Sequence, residues 1–130
     1  MPLLTFEQNK SLEDACNEMY KDPKVRFAGV INSMGYLVAG GFRKNLQPYE
    51  TEEKMKMMYM QIRLNVSMKK EYNETLGPID YTASKRGKVM MVSVPMYDHI
   101  VLISAEPDSD AATLADKTKD LFKTCRIPVK

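Results

Sequence analysis

The chain is poor in the groups on which enzymes usually rely. One histidine, His99, and two cysteines, Cys16 and Cys125, are its whole stock of imidazole and thiol ligands, and they stand at no metal-ligand spacing. Asp98 beside His99 does not make an acid–base pair, because neighbours along a strand point to opposite faces. No histidine lies near either cysteine in sequence to activate a thiol nucleophile. Gly40-Gly41 is the nearest approach to a glycine-rich phosphate loop. It lacks the lysine and the serine or threonine of a P-loop and leads into no helix, so ending a strand is the role expected of it. The expectation is a non-enzyme, with no catalytic, cofactor-binding or metal-ligating residue.

Charge of one sign is scarce too. Lysine and arginine number 19 against 17 aspartates and glutamates, a net +2. That is too little to argue for nucleic acid, and no basic stripe interleaves with aromatic residues. The short clusters Arg43-Lys44 and Lys85-Arg86-Gly87-Lys88 read as solvated turns, or as anchors for an acidic partner. Long apolar runs are missing, which argues against a membrane span, and the start MPLLTFEQNK has no charged region followed by an apolar one. Together these features predict a cytoplasmic protein. With no repeat, linker or low-complexity segment, residues 1–130 read as one domain. Cys16 and Cys125 leave two readings open: two reduced thiols, or a disulfide joining the terminal helices if those are neighbours.

Methionine, by contrast, is abundant, and five of the eleven fall in one stretch, Thr51 to Leu76. Wound at about 100° per residue, this stretch shows two apolar stripes. Met55, Met58, Tyr59, Ile62, Val66 and Leu76 line the first; Met57, Met60, Leu64 and Met68 line the second, on the far side. A surface helix needs one apolar stripe to face its core, so the second calls for another partner. The branched and aromatic stripe is the one expected to face inward.

The remaining elements follow from pattern and punctuation. Thr5 to Tyr20 reads as a helix with Phe6, Leu12, Cys16, Met19 and Tyr20 on its apolar side, and Thr5 with Gln8 fits a capping box. Val25 to Ile31 is a strand with Val25, Phe27 and Ile31 on one face and Ala28 and Val30 on the other. A glycine turn at Gly35 leads to a second strand, Tyr36 to Ala39, closed by Gly40-Gly41. Gly77-Pro78 stops the long helix. Ile79 to Ser84 alternates like an edge strand, with Ile79, Tyr81 and Ala83 on one face. Lys88 to Met96 and His99 to Ala105 are apolar on both faces, which suits central strands, and Asp110 to Lys123 reads as the last helix. The tail after it is too short for another element.

The order is α-ββ-α-βββ-α, an α+β fold. Short links between strands favour one central five-stranded antiparallel sheet, and two-sided apolar strands demand helices on both faces. The terminal helices are expected on one face and the long helix alone on the other.

Phe27-Ala28-Gly29-Val30-Ile31 followed by Gly35-Tyr36-Leu37-Val38-Ala39, and Lys88-Val89-Met90-Met91-Val92 leading to His99-Ile100-Val101-Leu102-Ile103 and Glu106-Pro107-Asp108, resemble the roadblock / dynein light-chain family, which is close to the longin and profilin-like folds. The resemblance spans about residues 25–122, with residues 5–20 as an extra N-terminal helix, and suggests a prokaryotic, archaeal member. It implies a homodimer in which the middle helix packs on its twofold mate while the adjacent edge strand pairs. On this chain, that contact would use Met57, Met60, Leu64, Met68, Ile79 and Tyr81. It further implies a regulatory or scaffolding module whose partner is a small Ras-like GTPase or another protein. The methionines suggest an alternative, a sensor holding a small molecule between the sheet and the long helix.

Overall fold

The computed structural model describes residues 4–125; the tail expected to form no element lies outside the described residues beyond Cys125. The chain runs α1 (Phe6–Met19), β1 (Val25–Ile31), β2 (Leu37–Phe42), α2 (Glu52–Lys69), a 3₁₀ turn (Lys70–Tyr72), α3 (Asn73–Leu76), β3 (Thr82–Lys85), β4 (Met90–Met96), β5 (His99–Ala105) and α4 (Ala111–Phe122). The strands form one sheet in the order β2-β1-β5-β4-β3, every pair antiparallel. The α+β fold and its α-ββ-α-βββ-α order are those expected from the sequence.

Side-chain caps start the long helices. Thr5 and Gln8 make the reciprocal capping box at α1, with bonds of 2.8 and 3.0 Å, and Thr51 and Asp110 accept from Lys54 and Thr113 backbone amides at α2 and α4. α1 and α4 cover one face of the sheet. Leu12, Cys16 and Met19 of α1 and Leu114, Ala115 and Phe122 of α4 meet Ala28, Val30, Val92 and Val101 in the main core. Phe6 stays outside it and is exposed, because it sits roughly a third of a turn off the stripe defined by Leu12, Cys16 and Met19.

β1 and β2 differ from their sequence pattern. Val25 joins the core on the α1/α4 side, apart from Phe27 and Ile31. The register against β5 slips between Val25 and Phe27, and such a bulge, one extra residue at Arg26, turns the alternation over. β2 also runs on through Gly40 and Gly41. A Cβ on Gly40 would sit 2.0 Å from the carbonyl oxygen of Ala28 in the neighbouring β1 and 2.8 Å from Cys16 Sγ of α1. Gly40 lets α1 and β1 come this close, whereas a Cβ on Gly41 would meet nothing within 4 Å, and neither glycine ends the strand.

Arg43 is likewise not a solvated turn residue. Its guanidinium donates to the carbonyl oxygens of Val25 (2.8 Å), Tyr20 (2.7 Å) and Asp22 (2.6 Å), tying the end of α1 to β1. Arg43→Ala should remove about 2–3 kcal/mol of stability in urea unfolding. Arg43→Lys should recover only part of it, since an ammonium lacks the planar fork.

Candidate interaction surface

α2 lies on the face opposite α1 and α4, on a much smaller cluster. Tyr59 is buried against Phe27, Ile31 and Leu102, with Met55, Ile62, Phe42 and Met91 around them. Val66, one turn and more further on, is buried as well. The branched and aromatic stripe thus faces the sheet. Leu76 leaves that stripe and is exposed. The 3₁₀ turn at Lys70–Tyr72 has three residues per turn in place of 3.6, so the phase slips before Leu76 is reached.

The second stripe points away from the sheet. Met57, Met60, Leu64 and Met68 are 60, 42, 62 and 71% exposed, against 6% for Tyr59. Met60 is the least exposed because the β1–β2 turn abuts it. A Cβ on Gly35, whose φ is +83°, would come within 3.1 Å of the Met60 Cα. Asn32 builds that turn, its side-chain oxygen accepting from the amides of Met34 and Tyr36 at 3.0 Å each. The exposed Met34 and Tyr36 therefore stand beside the stripe. Sequence reading missed this extension, since period alone does not show which turn meets which helix.

The two sheet edges are unlike. On β2 the Val38 carbonyl oxygen accepts from the Asn9 side chain at 2.8 Å, Gly40 N–H donates to Glu13 at 3.1 Å, and the Tyr20 hydroxyl donates to the Gly41 carbonyl oxygen. Side chains of α1 and its cap thus bond backbone groups of β2 at Val38, Gly40 and Gly41. β3 pairs only with β4, and among the described residues nothing bonds its outer side. An open edge of this kind is a template for another strand.

Ile79 and Tyr81 do not join the α2 stripe. β3 begins only at Thr82, and the register that pairs Thr82 with Ser93 would set Asp80 opposite Pro95, which has no N–H to give. Asp80 turns instead to Lys119 of α4, with contacts of 2.9 and 3.0 Å. Tyr81 packs against the main core, and Ile79 lines a surface cleft on the α4 side together with Phe122 and Lys119. The β3 residues on the α2 side are Thr82 and Ser84, which line a cleft with Met58 and Ile62.

The sequence profile of a family described as "Family of unknown function (DUF6659)" matches residues 4–123. The chain belongs to the DUF6659 family. No curated protein matches it in sequence. Among solved structures, this DUF6659 chain is similar to the Roadblock/LC7 domain from Streptomyces avermitilis, with 14% identity over 87% of this chain and 92% of that one at a TM-score of 0.66. It is similar to the gliding protein MglB from Thermus thermophilus, with 9% identity over 95% and 94% of the two chains at 0.73. For Myxococcus xanthus MglB the identity is 9%, the coverage 100% of each chain and the TM-score 0.67. The DUF6659 chain has a roadblock-like fold.

Of the groups with possible chemistry in this DUF6659 chain, His99 is buried and its Nδ1 has no hydrogen-bond partner among the described residues; burial holds its pKa below the usual imidazole value. Among the described residues, no three His, Cys, Asp or Glu side chains converge as metal ligands, and no helix is long and apolar enough to cross a membrane. Both cysteines are free thiols. Cys16 is buried, which pushes its pKa up to about 12, whereas Cys125 is half-buried with its thiol 3.6 Å from the Ser11 carbonyl oxygen. Because the thiolate is the nucleophile, iodoacetamide at pH 8 should label Cys125 and spare Cys16 in the folded protein, with both labelled in urea. Peptide mass mapping reads this directly; equal native labelling would contradict the packing of α1 on β2.

Proposed function

We propose that this protein is a homodimeric, non-catalytic interaction module of the cytoplasm, built to regulate or scaffold a protein partner. The observation that carries this reading is the stripe of Met57, Met60, Leu64 and Met68, exposed on a helix whose opposite face already has its core. Apolar residues gathered in one exposed patch mark an interaction site. A twofold contact uses one patch twice, and methionines adapt their shape to what they meet.

Four side chains do not make a stable interface, which needs about 800 Å² from each partner. The proposed contact is completed by the open edge of β3 and by Met34 and Tyr36 beside Met60. Ile79 and Tyr81 precede β3 on the α4 side and would join only where a paired β3 extends towards them. A small Ras-like GTPase as the partner of the dimer is an analogy with roadblock-like proteins and rests on that analogy alone.

Light scattering across a concentration series tests the reading. The expected mass is near twice the 14.9 kDa of one chain. A mass of one chain at every concentration would overturn the homodimer.

A further inference from the structure

α2 does not seal the face it covers. A cleft of about 280 Å³ opens between α2 and the β3–β4 side of the sheet. A second cavity of about 70 Å³ lies under the start of α2, behind Tyr49. Met58, Met91 and Leu102 belong to the walls of both, so two flexible thioether side chains stand between one space and the other. We propose that this cleft binds a small amphipathic anion, an aliphatic chain ending in a carboxylate or a phosphate.

The lining sorts by chemistry. Met58, Ile62, Met91 and Leu102 supply apolar walls, while the hydroxyls of Thr82, Ser84 and Ser93 stand on the strand side. Lys69 and Arg86 are the charged residues of the cleft, and no aspartate or glutamate lines it. Neither cation makes an ion pair among the described residues. An arginine presents a planar donor fork to a carboxylate or phosphate, and a lysine a point charge. The volume is near the lower end of ligand cavities, roughly 300 Å³, which limits the occupant to a short chain. Methionine can swing aside at small cost, so the tail has a path past Met58 and Met91 into the space behind Tyr49. At that far end Tyr49 lies under the Arg26 guanidinium, 4.2 Å from the ring centre. The Arg26 guanidinium is also 3.3 Å from Glu106, so this cation already has a partner and the head group belongs at the Lys69–Arg86 mouth.

The probe is octanoate, titrated into protein labelled with ¹³C at the methionine methyls. Saturable shifts are expected at Met58 and Met91, with Met19 in the opposite core unmoved. Octyl phosphate should do the same, and comparison of the two acids separates a carboxylate site from a phosphate site. Octan-1-ol, with the tail and no charge, should bind about five- to tenfold more weakly. Lys69→Gln with Arg86→Gln, two exposed changes, should weaken octanoate by a similar factor and leave octan-1-ol unaffected. The same titration on Met60→Glu with Leu64→Glu, changed on the far side of α2, should be unaltered, so binding is read independently of dimer formation. Methyls at Met58 and Met91 that do not respond to octanoate would overturn the proposal. So would octan-1-ol binding as tightly as octanoate, which would make the cleft an apolar gap only.

Discussion

Met60→Glu combined with Leu64→Glu is expected to convert the protein to a folded monomer. Both residues lie in the middle of the outward stripe, and neither takes part in the cluster beneath α2. Across a twofold each substitution occurs twice, so four carboxylates would crowd one apolar contact with no cation supplied to meet them. Truncating a buried charge pair costs about 2–5 kcal/mol, and an uncompensated buried charge belongs in that range. The dissociation constant of the proposed dimer should therefore rise by about two orders of magnitude or more. The fold should survive, since solvent-facing glutamate is a good helix former. Light scattering should show one chain and circular dichroism a retained fold, with the urea midpoint lowered only by the dimer stabilisation that is lost, a difference that grows with protein concentration. A variant that remains dimeric would place the contact elsewhere; one that unfolds would show the stripe to be internal.

Gly40→Ala should be strongly damaging although Gly40 is only half-buried. Gly40 has φ +79°, a region that L side chains rarely adopt, and its new methyl would sit 2.0 Å from the Ala28 carbonyl oxygen and 2.8 Å from Cys16 Sγ. Strained backbone adds about 1–3 kcal/mol, and overpacking adds about as much again. A loss of about 3–5 kcal/mol is expected, a large share of an ordinary domain's stability of roughly 5–15 kcal/mol. Gly87→Ala is the control, for a Cβ there meets nothing within 4 Å, and it should leave the urea midpoint nearly unchanged. Equal effects at the two positions would contradict the close approach of Ala28 and Cys16 to Gly40.

Much of this architecture was legible from pattern. The capping box at Thr5, the two-sided strands around Met90–Met96 and His99–Ala105, and the two stripes of α2 are all local signals, and local signals survive folding. What escaped depended on contacts between distant parts. Gly40 looks like a strand end until Cys16 of α1 is laid over it. Arg43 looks solvated until the carbonyl oxygens of Tyr20, Asp22 and Val25 converge on it. The bulge at Arg26, which sends Val25 to the other face, leaves no mark in an alternating apolar run. The contrast between a β2 edge occupied by Asn9, Glu13 and Tyr20 and an open β3 edge is also tertiary. Sequence could say that the sheet has edges, but not which one α1 would occupy.

If one copy meets another through the outward face of α2, a cysteine scan along that face will trap the pair. In a Cys125→Ser background, with the buried Cys16 left in place, Met57, Met60, Leu64 and Met68 would each be changed to cysteine in turn and the protein oxidised. Near a twofold axis a residue meets its own copy, so at least one of the four should give a covalent dimer within disulfide reach of about 4.4–6.8 Å between Cα atoms. Lys10→Cys, exposed on α1 across the sheet, should stay a single chain. Covalent dimers from Lys10→Cys and none from the four stripe positions would rule out α2 as the contact.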